Sequence, residues 1–316
     1  MLTRKFFSRK YAIIGLIFGA LFLVLLGALI FKPRAGTPHF LYAITGDSTA
    51  GRALSGPMGV EVAPDGRIFV ADSGNAQIQV FDSRGKYLLS LGRGALGYPV
   101  ALVYAGHRLY VADSGLNKVA VFDDKGSQGP PLLDNLRLPG AGVVVRPTAI
   151  AAGPGDLFSI ADAANQRILV LDARGQLVRQ FGSPGSGQGN FLYPNGLALD
   201  NMGNIYVADS NNRRIQIFDK NGQFSVQFHG NEDLNNAGPL SLPRGLAVTE
   251  DGQVIVVDVF ANMVRSFNQK GKEVWNFGGM GTEKGRFNFP NGLAVDRKGR
   301  IYVADRENNR VQVFGY

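Results

Sequence analysis

Few residues of this chain are of types that could do chemistry. It has no cysteine, which removes disulfides, thiolate metal sites and a cysteine nucleophile. Its three histidines, His39, His107 and His229, are scattered, whereas a zinc ion wants three or four ligands on one point. The most regular acids are Asp72, Asp113, Asp162, Asp209, Asp258 and Asp305, each closing a VAD-like triplet, in steps of 41, 49, 47, 49 and 47 residues. A catalytic carboxylate is needed once per chain, so an acid written six times reads as scaffold. Such an aspartate can cap the turn after its strand and pair with the basic residue five positions on, Lys118, Arg167, Arg214 or Arg310. Gln77 and Met263 break that pairing in two units. Glu61 stands apart, since the matching positions of the other units hold Val103, Ala151, Ala198, Ala247 and Ala294. One carboxylate is too little for a general acid/base pair, but Glu61 could meet Arg244 or serve, with Asn195, as a channel ligand.

The elements that must position these residues repeat with the same period. Pro57, Pro99, Pro147, Pro194, Pro243 and Pro290 follow one another at 42, 48, 47, 49 and 47 residues. A period of 40–50 with several short strands per unit points to a propeller. In the fourth unit, Pro194 leads into GLAL, NIYVAD, RIQIFD and QFSVQFHG, four strands by β-branched content and period-two alternation. Turn glycines such as Gly203 and Gly222 supply positive φ between them. The last unit stops after its third strand, RVQVFGY, and FLYAITG at residues 40–46 supplies the missing fourth. The expected fold is therefore all-β, a six-bladed propeller over residues 40–316 closed by its N-terminal strand, because an open blade edge would leave unpaired backbone groups.

The pattern P-x-G-L-A-V-D-x-x-G-x-I-Y-V-A-D-S-x-N-x-R-I-Q-V-F-D, nearly complete in units four and six, resembles the NHL repeat. The resemblance implies a six-bladed propeller, but NHL-like propellers include lyases, RNA-binding domains, protein-interaction modules and sensor domains. NHL-like lyases hold zinc with histidines from several blades; here His107 and His229 belong to opposite faces and His39 to the tether. Lactonase-like propellers hold calcium at the channel mouth. The residues after the six prolines are Met58, Val100, Thr148, Asn195, Arg244 and Asn291, with no carboxylate among them, a poor calcium cage. No metal and no cofactor are expected, and a metal-dependent lyase- or lactonase-like enzyme is the second reading.

Departures from the repeat carry more information about binding. Where other units read DSGNAQ or DSNNRR, the fifth reads Asp258-Val259-Phe260-Ala261-Asn262-Met263. An exposed aromatic beside Val259 and Met263 would suit a partner-binding patch, with Leu116 a second such departure. Inserted segments at 126–145 and 229–242 run toward the same face, whose centre offers Arg244 and Asn291. A protein partner is expected on that face.

The N-terminus is a separate object. Residues 12–31 form an unbroken apolar run of 20, enough to span roughly 30 Å of hydrocarbon. Arg4, Lys5, Arg9 and Lys10 precede it, so a basic cytoplasmic tail (1–11), a signal anchor (12–31), a tether (32–39) and an extracytoplasmic propeller are expected. A cleaved signal peptide is the alternative, with a shorter apolar region. Gly15 and Gly19 make a GxxxG that offers a homodimer contact, although glycine is common in such helices without one. The cytoplasmic tail is too short to hold an output domain. The anchor region carries six basic residues and no acid of a chain at +8, so residues 37–316 are near +2 and nucleic acid is not an expected partner.

Overall fold

Alternation and β-branching build the strands, and burial separates their roles. Ile205–Asp209 and Arg214–Phe218 are buried along their whole length, because each lies inside a sheet covered on both faces. Phe224–Phe228 is mostly uncovered, as an outermost strand should be. The computed structural model describes residues 36–47, 51–123, 125–134, 145–230 and 239–316. The apolar run 12–31, with Gly15 and Gly19, lies outside the described residues. Among the described residues no helix is long and apolar enough to cross a membrane.

Six four-stranded antiparallel sheets follow one another as blades. Their innermost strands are Gly59–Val62, Pro99–Ala105, Pro147–Gly153, Pro194–Leu199, Pro243–Val248 and Pro290–Val295. The sixth blade takes its outer strand from the other end of the propeller: His39–Ile44 pairs antiparallel with Arg310–Gly315, Phe40 opposite Phe314. The closure expected from the sequence is thus present. The segment expected as an insertion at 126–145 is in part a blade strand, Gln128–Leu133, which tolerates two prolines because it is an edge.

The core lies between blades. Apolar clusters join each blade to the next, including the seam of blades six and one, where Ile44, Val60, Ile68, Tyr302 and Val313 meet. Close approach of the inner strands explains the glycine of the P-x-G triplet. A Cβ on Gly196 would stand 1.8 Å from the Arg244 carbonyl oxygen, and one on Gly245 2.5 Å from that of Asn291.

The repeated aspartates are scaffold, by a different contact from the one expected. All six are fully buried. One carboxylate oxygen accepts from the backbone that enters the inner strand of the same blade: from Ser55 N–H at Asp72, Leu192 N–H at Asp209 (both 2.7 Å) and Asn288 N–H at Asp305 (2.8 Å). The following turn is capped as expected in blade two, where Gly115 and Leu116 N–H donate to Asp113. The basic partner at position five is present at Arg167, Arg214 and Arg310, at 3.0, 2.8 and 2.7 Å. Lys118 instead donates to the Ala95 carbonyl. Gln77 reaches Asp72 as a neutral donor, and blade five recruits Arg265, two residues beyond Met263.

Candidate functional site

Strand polarity places two kinds of loop on one face: those entering the inner strands at the prolines, and those after the six aspartates. In each of the latter the fourth residue past the aspartate is left-handed, at Ala76, Asn117, Gln166, Arg213, Asn262 and Asn309. Three of these side chains reach into the next blade. Asn309 Oδ1 accepts from Gly56 N–H at 2.7 Å, Asn262 Oδ1 from Phe289 N–H at 2.8 Å, and Gln166 Oε1 from Tyr193 N–H. The acceptors are held by the fold, so the residue before the proline is fixed in turn, at φ +52° for Gly56, +57° for Tyr193 and +49° for Phe289. A left-handed aromatic is an uncommon state that costs about 1–2 kcal/mol, and glycine at the first of these positions avoids the cost.

The strained aromatics sit among other exposed apolar side chains on the same face: Tyr98, Leu116, Leu192 and Phe260. Phe260 is 62% exposed and stands edge-on to Phe289, ring centroids 6.3 Å apart at 88°. It does not fold onto its own blade. Leu116, 48% exposed, is likewise available. Val259 is not part of any exposed patch, which corrects the expectation from the sequence. It is 4% exposed and packs with Trp275, Phe287 and Leu293 between blades five and six. In blades one and four that position is Ser73 or Ser210, which donates to the next blade's proline carbonyl at 2.5 and 2.6 Å; blade five replaces the hydrogen bond by apolar packing. Met263 is half-buried as the first residue of the strand Met263–Phe267. Sequence reasoning missed Tyr98, Tyr193 and Phe289, although all three immediately precede a repeat proline.

The channel along the axis encloses about 240 Å³. Glu61, Asn195 and Asn291 line it, but at different depths. Asn195 and Asn291 follow their prolines at the mouth, while Glu61 is the next-to-last residue of its strand, about 10 Å further down. Asn195 donates to Ser210 Oγ at 3.0 Å, and Asn291 is 8% exposed. Glu61 does not meet Arg244. Its carboxylate accepts from Tyr104 N–H at 3.2 Å, and burial pushes its pKa up to about 7. Arg244 follows its proline at the mouth and is half-buried, and Arg306 on blade six and Tyr98 on the opposite blade act on its charge. Burial and the Arg306 charge hold its pKa below the usual arginine value. His107 lies in a turn on the far face and His229 follows Phe224–Phe228 on the near one. Among the described residues no group of three or more histidine, aspartate or glutamate side chains is arranged to hold a metal.

Comparison with known proteins agrees with this architecture. The NHL repeat family matches residues 54–81, 191–218 and 287–314. Protein brain tumor of Drosophila melanogaster is 33% identical over 138 residues, 43% of this chain but 13% of that protein. Among solved structures, virginiamycin B lyase from Staphylococcus aureus superposes with a TM-score of 0.60 at 16% identity, covering 87% of this chain and 98% of that one. A chain of a nidogen/laminin complex superposes with a TM-score of 0.58 at 19% identity, covering 76% and 93%. At these identities the structural likeness concerns the fold alone. The chain is thus a six-bladed β-propeller that carries three NHL repeats, on blades one, four and six.

Proposed function

We propose that the chain is a membrane-anchored, extracytoplasmic propeller that docks a protein partner on its channel-mouth face, as a scaffold or accessory subunit of a membrane complex. One observation carries the docking reading: aromatic side chains are exposed on that face while their backbones are held left-handed, at Tyr193 and Phe289, with Phe260 edge-on to the second. Strain kept at exposed aromatic positions favours a surface selected for contact over one selected for stability. A propeller neighbour solved in a nidogen/laminin complex supports the reading by analogy of fold. The anchor is proposed from residues 12–31 and their basic flank.

Purification of the full-length chain from its native membrane in mild detergent, beside Phe260→Ser and Phe289→Ser, tests both parts. The chain should resist alkaline carbonate extraction and retain a stoichiometric protein that both variants lose. A chain released by carbonate would remove the anchor. A retained protein indifferent to both substitutions would remove the docking face.

A further inference from the structure

Arg214, Arg265 and Arg310 are paired with carboxylates, and half-buried Arg244 is an exception among the described residues. Arg214 lies 2.8 Å from Asp209, Arg310 2.7 Å from Asp305, and Arg265 2.5 Å from Glu273. Arg244 has no such partner among the described residues. Its Nε is buried and makes no hydrogen bond, and no carboxylate contributes to the field it senses among the described residues. The like charge of Arg306, itself beside Glu307 at 3.3 Å, acts on it. An arginine stays protonated at physiological pH, and a partly desolvated guanidinium gains from an anion.

The position makes the exception informative. The other five residues that follow a repeat proline are uncharged, Met58, Val100, Thr148, Asn195 and Asn291. Arg244 therefore brings a single charge to the ring of residues that follow the prolines, on the face that carries Tyr98, Leu116, Tyr193, Phe260 and Phe289.

We infer that Arg244 is the receptor for an acidic side chain, an aspartate or glutamate on a loop of the protein partner, inserted at the channel mouth with apolar residues on either side. The inference rests on the docking reading above. The terminal guanidinium nitrogens can hold a carboxylate end-on, as a bidentate pair. A small free carboxylate would leave the surrounding aromatic rings uncovered, whereas an acidic residue in an apolar loop would satisfy the charge and cover the rings together.

The probe is a library of disulfide-constrained peptide loops, selected against the full-length chain in detergent. Wild type should enrich loops in which one Asp or Glu is flanked by apolar or aromatic residues. For one recovered loop, Arg244→Gln and replacement of the loop's acid by its amide should each weaken binding roughly thirty-fold or more. Together they should weaken it little more than either alone, the signature of a direct pair. Arg244→Lys, which keeps the charge, checks that the loss is not one of folding and should retain part of the affinity. Loops that enrich without an acid, yet depend on Phe260, would overturn this inference and leave the docking face standing. Loops that ignore both Phe260 and Arg244 would overturn both. Glu232 and Asp233 lie in 231–238, outside the described residues. If acid preference appears only after Glu232→Gln and Asp233→Asn, the guanidinium is paired within the chain and the inference fails.

Discussion

Replacing Glu61 with glutamine should abolish a pH-dependent loss of stability. The carboxyl is surrounded by protein inside the channel, with Tyr104 N–H as a donor at 3.2 Å, and burial raises its pKa from 4.5 to about 7. The folded state therefore keeps a proton that the unfolded chain has released. Below about pH 4.5 both states are protonated and nothing is lost. Between about 4.5 and 7 stability falls as pH rises, and above 7 the full loss remains. At about 1.4 kcal/mol per pKa unit, 2.5 units set an upper bound near 3.4 kcal/mol, and water in the channel lowers this to about 1–3 kcal/mol. Guanidinium chloride unfolding of the full-length chain in detergent, at half-unit steps from pH 5 to 8.5, measures it. Glu61→Gln keeps an acceptor for Tyr104 N–H, so wild type and variant should differ least at pH 5 and diverge above it, the variant being the more stable at pH 8. A difference between the two that stays constant over the range would refute the buried-carboxyl reasoning.

Other perturbations probe the scaffold and the face. Asp209→Ala leaves Arg214, 3% exposed, without its carboxylate and Leu192 N–H without an acceptor; a loss of about 3–5 kcal/mol in unfolding free energy is expected. Gly196→Ala puts a Cβ against the Arg244 carbonyl oxygen and should cost about 1–3 kcal/mol by the same assay, although blade three carries alanine at the matching position, Ala149. Phe289→Asn exchanges a strained aromatic for a residue that tolerates φ +49°, so stability should change by less than about 1 kcal/mol while retention of the membrane partner falls at least about tenfold.

The blades were legible because what makes them is local. Proline and aspartate recur with one period, strands alternate within five or six residues, and the unpaired RVQVFGY has its complement in FLYAITG. The face was legible only where the loop text changed, at Phe260 and Leu116. Val259 was misread because its burial comes from the neighbouring blade, through Phe287 and Leu293, and nothing within its own repeat reports that. The aromatics before the prolines read as lead-in to a strand, and at Tyr193 and Phe289 the backbone is left-handed and latched by an amide 27 residues away, as Asn262 latches Phe289. Glu61 and Asn195 looked like neighbours because both belong to inner strands, but the register of those strands separates them along the channel. The isolation of Arg244 depends on inner strands from different blades at once, which no single repeat encodes.

Site-specific photocrosslinking in the native membrane tests the central claim most directly. A photoreactive residue is placed at Phe260 or Phe289 on the channel-mouth face, and at Met202, 78% exposed in a turn on the opposite face, as the control. The account predicts one discrete protein adduct from positions 260 and 289 and none from 202. The same adduct from all three positions, or an adduct from 202 alone, would contradict it.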